Sequence, residues 1–300
     1  MAAGNSDDSR RLAKALERVY ERHSHRRLIA PDPLQFVYRY QRAADREMAG
    51  FLAAMLAYGR VRQIEAACER LFAAMGSQPA EFVRNLGPAE RRALAGFRHR
   101  FTSGRDLADL MALLRRALRE AGSIEALFKM GYDGGDGTII PALERFCETL
   151  LQWHTSMASG PAGPGFKHLL GSPRRRSACK RLHLFLRWMV RRDDVDPGVW
   201  AGIAPAKLIV PVDVHMARLC GLLGLHDGAA ASGRTALAIT RRFAEIEPAD
   251  PVKYDFALSR VGIVEGCDGT AGARCRACEL VDLCRPARLK AARIGVARRS

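Results

Sequence analysis

The sequence predicts an all-α fold, and three features lead to this prediction. Apolar residues recur about every 3.6 residues, the spacing of one helix face, along most of the chain. Strict alternation of apolar and polar residues, the pattern of a half-buried strand, is confined to the neighbourhood of 208–212. The longest apolar run, from Met48 to Tyr58, is too short to span a bilayer. We therefore expect a cytoplasmic helical protein with no membrane partner.

Six amphipathic stripes justify the predicted helices in chain order. Each places its apolar residues three or four positions apart, so that they lie on one side of a helix. The second stripe is apolar enough to be a central core helix. The stripes lie at 12–20, 48–56, 64–75, 107–118, 139–150 and 177–191.

The charge of the chain points to a polyanionic partner, most often a nucleic acid. Lys and Arg total 48 against 32 Asp and Glu, which gives a net charge of +16. The segment from Lys167 to Arg192 contains nine basic residues and no acidic one, and the segment from Arg285 onward contains six and none. An arginine-rich composition without any ligand is the alternative.

The helix at 177–191 predicts where phosphate is bound. Its apolar positions share one face, and Lys180, Arg187 and Arg191 lie on the opposite face. A Gly-Ser-Pro turn precedes it, followed by Arg174, Arg175 and Arg176. Because helix N-termini present free N–H groups and partial positive charge, we expect these arginines to contact backbone phosphates. A solvated basic face without a ligand is the alternative.

Four cysteines predict a metal centre. Cys267, Cys275, Cys278 and Cys284 are spaced C-x7-C-x2-C-x5-C, and four thiolates can hold one zinc ion or a [4Fe-4S] cluster. Zinc ribbons favour two C-x-x-C pairs and this chain has one, so we expect the [4Fe-4S] cluster and keep zinc as the alternative. The first residues lack the apolar stretch of a signal peptide, so we do not expect disulfides. The remaining cysteines read as small buried hydrophobes: Cys68, Cys147, Cys179 and Cys220.

Two further motifs carry a resemblance to a known family. Val212-Asp213-Val214-His215, after an extended segment and before a helix, resembles the catalytic-aspartate segment of helix-hairpin-helix base-excision DNA glycosylases, the superfamily of endonuclease III. The stretch YDFALSRVGIVEGC is similar to the last helix of that family, which runs into its first cluster cysteine. The family spaces its cysteines C-x6-C-x2-C-x5-C, so the first loop is one residue longer here. The motif SACKRLxLFLRWMVR resembles a divergent bacterial branch of the superfamily.

The resemblance implies a two-lobed fold that contacts duplex DNA. It implies an N-terminal helix at 1–45 that packs with the C-terminal lobe, a helical barrel at 46–207 with a divergent hairpin near 170–178, and a lobe at 208–300 that carries the aspartate, the cluster loop at 267–284 and a basic tail. Arg274 and Arg276, which flank cluster cysteines, are implied to touch DNA phosphates.

The activity that the resemblance implies is removal of a damaged base by a monomeric, nucleoid-associated DNA repair enzyme. Asp213 is implied to stabilise the positively charged sugar and to activate water. Arg176 stands where bifunctional members have a lyase lysine, so the expected enzyme is a monofunctional hydrolase. Lys180, one helical turn away, is a second candidate catalytic residue, with phosphate contact as its alternative.

Departures from the family leave other interpretations open. The hairpin lacks its second glycine, and Tyr58-Gly59-Arg60 replaces the glutamine that wedges into DNA. These departures favour an iron–sulfur protein that binds nucleic acid without chemistry, and a third interpretation is a zinc-stabilised module that binds an acidic protein. Asp213 at a helix start is also simply a good N-cap, and His215 reads as a structural residue that holds the loop.

Overall fold

The computed structural model describes residues 3–157, 163–175, 177–228 and 230–285, together with their side chains except those of 3–7 and 175. Helix accounts for 62% of the chain and strand for 2%, so the prediction of an all-α protein is confirmed. No helix in the described ranges is long and apolar enough to cross a membrane.

Thirteen α-helices are present in the described residues, and short 3₁₀ turns and one small hairpin connect them. The α-helices are α1 Ala3–His23, α2 Ala43–Leu56, α3 Val61–Met75, α4 Pro79–Arg84, α5 Pro88–Leu94, α6 Gly104–Glu120, α7 Ile124–Lys129, α8 Ile140–Met157, α9 Pro164–Leu169, α10 Lys180–Val190, α11 Val214–Leu222, α12 Gly233–Ala244 and α13 Asp255–Ile263. The 3₁₀ turns are Arg26–Leu28, Pro33–Arg39, Pro173–Arg175, Pro205–Lys207 and Ala273–Ala277, and the strands are β1 Arg98–His99 and β2 Thr102–Ser103.

Helix α2 forms the centre of the core. Every residue from Glu47 to Leu56 is buried, and α2 packs against α10 and against the 3₁₀ turn at Pro33–Arg39. The Phe51 ring meets the Phe185 ring of α10 edge to face, with centroids 5.0 Å apart. A helix that is apolar on all sides can only be stable inside the molecule, so the packing of α2 fixes α10 beside it.

Side-chain caps explain where several helices begin. Ser103 accepts from the backbone N–H of Asp106, whose carboxylate accepts from Ser103 N in return, and this capping box starts α6. Ser123 caps α7, Ser232 caps α12 and Asp213 caps α11 in the same way. These polar residues therefore set the ends of helices whose interiors are set by apolar spacing.

The hairpin of β1 and β2 was not predicted. Each strand has two residues, too few to show an alternating pattern, and Arg100 turns between them in the left-handed region with φ of 50°. The alternating stretch at 208–212 is extended but not part of a sheet. Its Val210 N–H donates to the side chain of Thr240 at 3.0 Å.

The expectation of an exposed cationic face on α10 is wrong for Arg187 and Arg191. Their side chains are 2% and 5% exposed. Arg187 bonds to Asp196 and Asp255, and Arg191 bonds to Asp196 and, at 2.7 Å, to Asp250. Burial opposes ionisation, yet these carboxylates hold the pKa of both arginines above the ordinary value. The two arginines therefore bind the interior of the protein and not a phosphate backbone.

Helix α1 packs against α13 near the C-terminal part of the described chain. Glu17 accepts hydrogen bonds from Lys253 Nζ at 2.7 Å and from the Tyr254 hydroxyl at 2.6 Å. At the end of α1, Arg22 bonds to Glu279, which follows Cys278. The first helix and the cysteine segment are therefore in direct contact.

Candidate active site and metal centre

A cleft of about 600 Å³ opens where the N-termini of α10 and α11 meet α13. The segment between α2 and α3, including Tyr58 and Gly59, and the turn at 31–33 complete its wall. The rim carries two apolar side chains, Val214 and Ile263, that are 68% and 48% exposed. A concave site with apolar walls and a few polar groups is the usual form of a small-molecule or nucleobase pocket.

Lys180 and Asp213 form an ion pair inside this cleft. Lys180 Nζ donates to Asp213 Oδ2 at 2.8 Å. Both side chains are about one third exposed, at 34% and 33%, so a ligand in the cleft can reach them. The structure thus brings together the two residues that the sequence singled out as candidates for catalysis.

The second oxygen of Asp213 caps α11. Oδ1 accepts from the backbone N–H groups of His215 and Met216, each at 2.9 Å. Burial raises the pKa of this carboxyl, but the Lys180 charge and the hydrogen bonds outweigh it, so that the pKa lies below the ordinary value. Asp213 is therefore an anion at neutral pH, and capping and charge pairing use different oxygens of one carboxylate.

The backbone before Lys180 is strained. Cys179 adopts a left-handed conformation with φ of 43°, which residues with a Cβ rarely do and which costs on the order of 1–3 kcal/mol. Lys180 is the first residue of α10, and the buried arginines anchor the other end of that helix. The anchor holds α10 in place, and Lys180 at its first position donates to Asp213.

Two arginines in the cleft wall, unlike their neighbours, have no carboxylate partner among the described residues. Arg260 pairs with Asp32 and Arg187 with Asp255, whereas Arg181 and Arg218 donate to backbone carbonyls. Arg181 bonds to the carbonyls of Met55 and His168, and Arg218 bonds to that of Cys267 at 3.0 Å. Both arginines line the cleft, Arg218 with an exposed side chain and Arg181 with a half-buried one.

The sequence analysis did not single out Arg181. Its position directly after Lys180 in a basic run was a sign that it could share the site. However, adjacent residues on a helix point about 100° apart, so the spacing gave no reason to place both in one site. Its guanidinium lies over the Tyr58 ring, 5.0 Å from the centroid.

Gly59, with φ of 97°, lets this segment turn close to Arg100, since a Cβ there would lie 2.8 Å from the Arg100 side chain.

The other predicted phosphate contacts lie outside this cleft or outside the described residues. Arg174 is 66% exposed and pairs with Glu148 of α8. Arg176 lies outside the described residues, and for Arg175 only the backbone is described. Arg276 is exposed, and Arg274 bonds to Gly266 O and, at 3.0 Å, to Asp268. Among the predicted nucleic-acid contacts whose side chains the structure describes, only Lys180 lines the cleft with an accessible charge.

The four cysteines of the C-terminal segment line one small cavity. Its wall contains Cys267, Cys275, Cys278 and Cys284, with apolar side chains of α11 and α13 behind them. In the part of the chain that the structure describes, no three of these sulfurs lie within 4.8 Å of one another. A single zinc ion with bonds of about 2.3 Å holds four sulfurs about 3.8 Å apart, whereas a larger four-iron cube spreads its thiolates. The donor set fits either group.

Most of the chain matches one protein family. Residues 32–264 match the family described as protein of unknown function (DUF2400). No curated protein and no solved structure matches the chain.

The expected membership of the helix-hairpin-helix glycosylase superfamily is wrong, because the family match is a different one. The expectation rested on two short motifs. Such motifs are not specific to one family, because an aspartate before a helix also serves as a cap and closely spaced cysteines bind metals in many proteins. The match to residues 32–264 covers well over half of the 300 residues. The chain therefore belongs to the DUF2400 family.

Proposed function

We propose that this protein binds nucleic acid and hydrolyses an N-glycosidic bond with Asp213. The observation that carries the proposal is the Lys180–Asp213 pair, which faces a cleft of about 600 Å³ with both side chains accessible. The net charge of +16 adds a reason to expect a polyanionic substrate. The proposed substrate is duplex DNA that contains a damaged base.

The chemistry follows from the charge of the carboxylate. When the bond between the sugar C1′ and the base nitrogen breaks, its electron pair leaves with the base and positive charge develops on the sugar ring. Anionic Asp213 stabilises that charge, and it accepts a proton from the water whose oxygen then bonds to C1′. The departing base takes up a proton from solvent and Asp213 releases to solvent the proton it accepted, which balances the hydrolysis. Lys180 keeps the carboxylate ionised and oriented, so it acts as a positioning residue.

The surroundings of the pair support binding of a nucleotide that has left the duplex. The apolar rim at Val214 and Ile263 offers contacts to an unstacked base. Arg218 is exposed and supplies a cation that suits a flanking phosphate. Base, sugar and phosphate thus each find a matching group within one cleft.

We also propose that the C-terminal cysteines hold a [4Fe-4S] cluster. Cys267, Cys275, Cys278 and Cys284 would be its ligands, and the cluster would supply structural cross-linking and no chemistry on the base. The Arg218–Cys267 hydrogen bond connects this segment to the cleft. Arg276 would then be held in register with the same surface.

The cleft also supports a two-lobed arrangement. One lobe would comprise residues 46–207, with the divergent hairpin near 170–178. The other would combine α1 with the chain from 208 onward, as the packing of α1 on α13 supports. Asp213 would then lie at the boundary between the two lobes.

One observation favours a second candidate function, nucleic-acid binding without chemistry. Both oxygens of Asp213 already accept hydrogen bonds, one as the α11 cap and one from Lys180. A carboxylate used in this way can be wholly structural. The basic surfaces and the cysteine centre would then serve binding alone.

Base release from duplexes that contain an oxidised, alkylated or deaminated base distinguishes these functions. We expect release by the wild type and a loss of at least about 100-fold in Asp213→Asn. Asn keeps the size and the capping ability of Asp, so the control is that Asp213→Asn retains duplex affinity and folding. Unchanged release in Asp213→Asn would contradict catalysis by Asp213. Salt-sensitive binding without release by the wild type would establish the second function.

A further inference from the structure

A second group of metal-binding side chains lies where α1 meets the cysteine segment. His23 is the last residue of α1, Glu265 lies two residues before Cys267, and Glu279 directly follows Cys278. One ligand atom from each of these three side chains lies within 4.8 Å of the other two. No cysteine takes part in this group, so it is distinct from the four-cysteine cavity.

Two atoms of this group are buried without a hydrogen-bond partner. The His23 side chain is 5% exposed, and its Nε2 is unpartnered although Glu265 Oε1 lies 3.2 Å away. Glu279 Oε2 is likewise buried and unpartnered. Leaving a buried polar atom unpaired costs about 1–3 kcal/mol, and both atoms belong to side chains whose ligand atoms converge, which points to a missing ligand.

We propose that His23, Glu265 and Glu279 bind a divalent metal ion. One imidazole nitrogen and two carboxylates form a donor set that suits Mn²⁺, Fe²⁺ or Zn²⁺.

Arg22 pairs with the two carboxylates that the metal would bind. Its guanidinium bonds to Glu279 Oε1 at 2.6 Å and lies 3.3 Å from Glu265 Oε1. The Arg22 side chain is 50% exposed, so it has room to swing into solvent when a cation enters. Arg22 therefore competes with the metal for the same two carboxylates.

The site would connect the first helix to both flanks of the cysteine segment. Its two glutamates bracket Cys267, Cys275 and Cys278 in the sequence. A metal ion here would hold α1 against that segment whether or not the cysteines carry a cluster. The inference consequently does not depend on the proposed activity.

Binding of Mn²⁺, followed by loss of its free electron paramagnetic resonance signal, tests the site in the full chain. Mn²⁺ is suitable because it prefers carboxylate and imidazole to thiolate ligands. We expect one ion per chain in the wild type, and at least about tenfold weaker binding in His23→Gln and in Glu279→Gln. His25→Gln is the matched control, since His25 is two residues away, 38% exposed and outside the group. No binding by the wild type, or equal binding by all variants, would overturn the proposal.

Arg22→Gln gives a second, opposite test. Removal of the competing guanidinium should tighten Mn²⁺ binding, because both carboxylates then keep their full negative charge. If the cluster were only a structural salt bridge, Arg22→Gln would not raise the affinity for Mn²⁺ and His23→Gln would not lower it. Unchanged or weaker binding in Arg22→Gln would refute the competition between Arg22 and the metal.

Discussion

The ammonium of Lys180 and the carboxylate of Asp213 lie 2.8 Å apart, although the residues are 33 positions apart in the chain. Lys180 is the first residue of α10 and Asp213 is the N-cap of α11. A cation at a helix N-terminus is unfavourable on its own, and an anion there is favourable. Asp213 therefore compensates an unfavourable charge on one helix while it caps the next.

Substitutions at Asp213 should separate capping from charge pairing. Asp213→Ala removes both and should lower the free energy of unfolding by about 0.5–2 kcal/mol for the lost cap. Asp213→Asn keeps the cap and loses only the charge, so its loss should be smaller. Urea denaturation of both variants measures the difference, and equal destabilisation would show that the cap contributes nothing.

The Lys180–Asp213 pair should also give stability a defined pH dependence. A carboxyl whose pKa is lower in the folded than in the unfolded state stabilises the fold above its unfolded pKa and loses this effect as the pH falls through its folded pKa. The stability difference between wild type and Asp213→Asn should thus be largest above about pH 5 and shrink below about pH 4. Denaturation midpoints across this range measure it, and a difference that grew on acidification would contradict the pairing.

Binding to duplex DNA should weaken as the salt concentration rises, and the steepness of this effect should show which arginines contact phosphates. Arg218→Gln should reduce the slope of log affinity against log salt by about 0.9, the effect of one lost phosphate contact. Joint replacement of Arg174, Arg175 and Arg176 should reduce it by up to about three times as much. Arg84→Gln is the matched control, because Arg84 is exposed on α4 and does not line the cleft. Slopes that match the control would remove these residues from the interface.

Protein purified without oxygen should contain about four irons and matching sulfide per chain, with a brown colour. Cys275→Ala should lose the iron, because Cys275 lines the shared cavity, whereas Cys68→Ala should keep it, because Cys68 is buried in α3. Metal and sulfide analysis with the visible spectrum measures both. One zinc ion without colour would replace the iron–sulfur proposal with the zinc-stabilised interaction module.

Loss of Arg187 should destabilise the protein far more than loss of an exposed arginine. Arg187→Met leaves Asp255 buried without its arginine and removes one of the two arginines that Asp196 bonds to, which costs about 3–5 kcal/mol. Arg174→Ala should change stability by less than about 1 kcal/mol, because that pair is exposed. Equal effects in urea denaturation would mean that water reaches the buried pair.

The sequence predicts the helices well because apolar spacing is a local property. The stripes at 48–56 and 107–118 lie within α2 and α6, which bury those faces. The same spacing misjudged Arg187 and Arg191, because α10 is buried on both sides and its counter-charges come from three other segments. Asp196, only five residues after Arg191, was a local signal, whereas Asp250 and Asp255 become neighbours only in the folded chain.

The candidate site could be predicted only in part for a similar reason. Lys180 and Asp213 each stood out within a local motif, but their contact depends on how α10 and α11 meet. The carbonyl partners of Arg181 belong to α2 and α9, at Met55 and His168, and no local pattern indicates them. Motifs therefore pointed to the candidate residues, and packing determined which of them share a cleft.

The anchoring of α10 by Arg187 also limits how the length of this helix can change. Lys180 and Arg187 are seven residues apart, about two helical turns, so both project from one side of α10. One inserted or deleted residue between them would rotate Lys180 by about 100° relative to the buried arginine and remove it from Asp213. Substitutions in this stretch are open to compensation by repacking, but a change in its length is not.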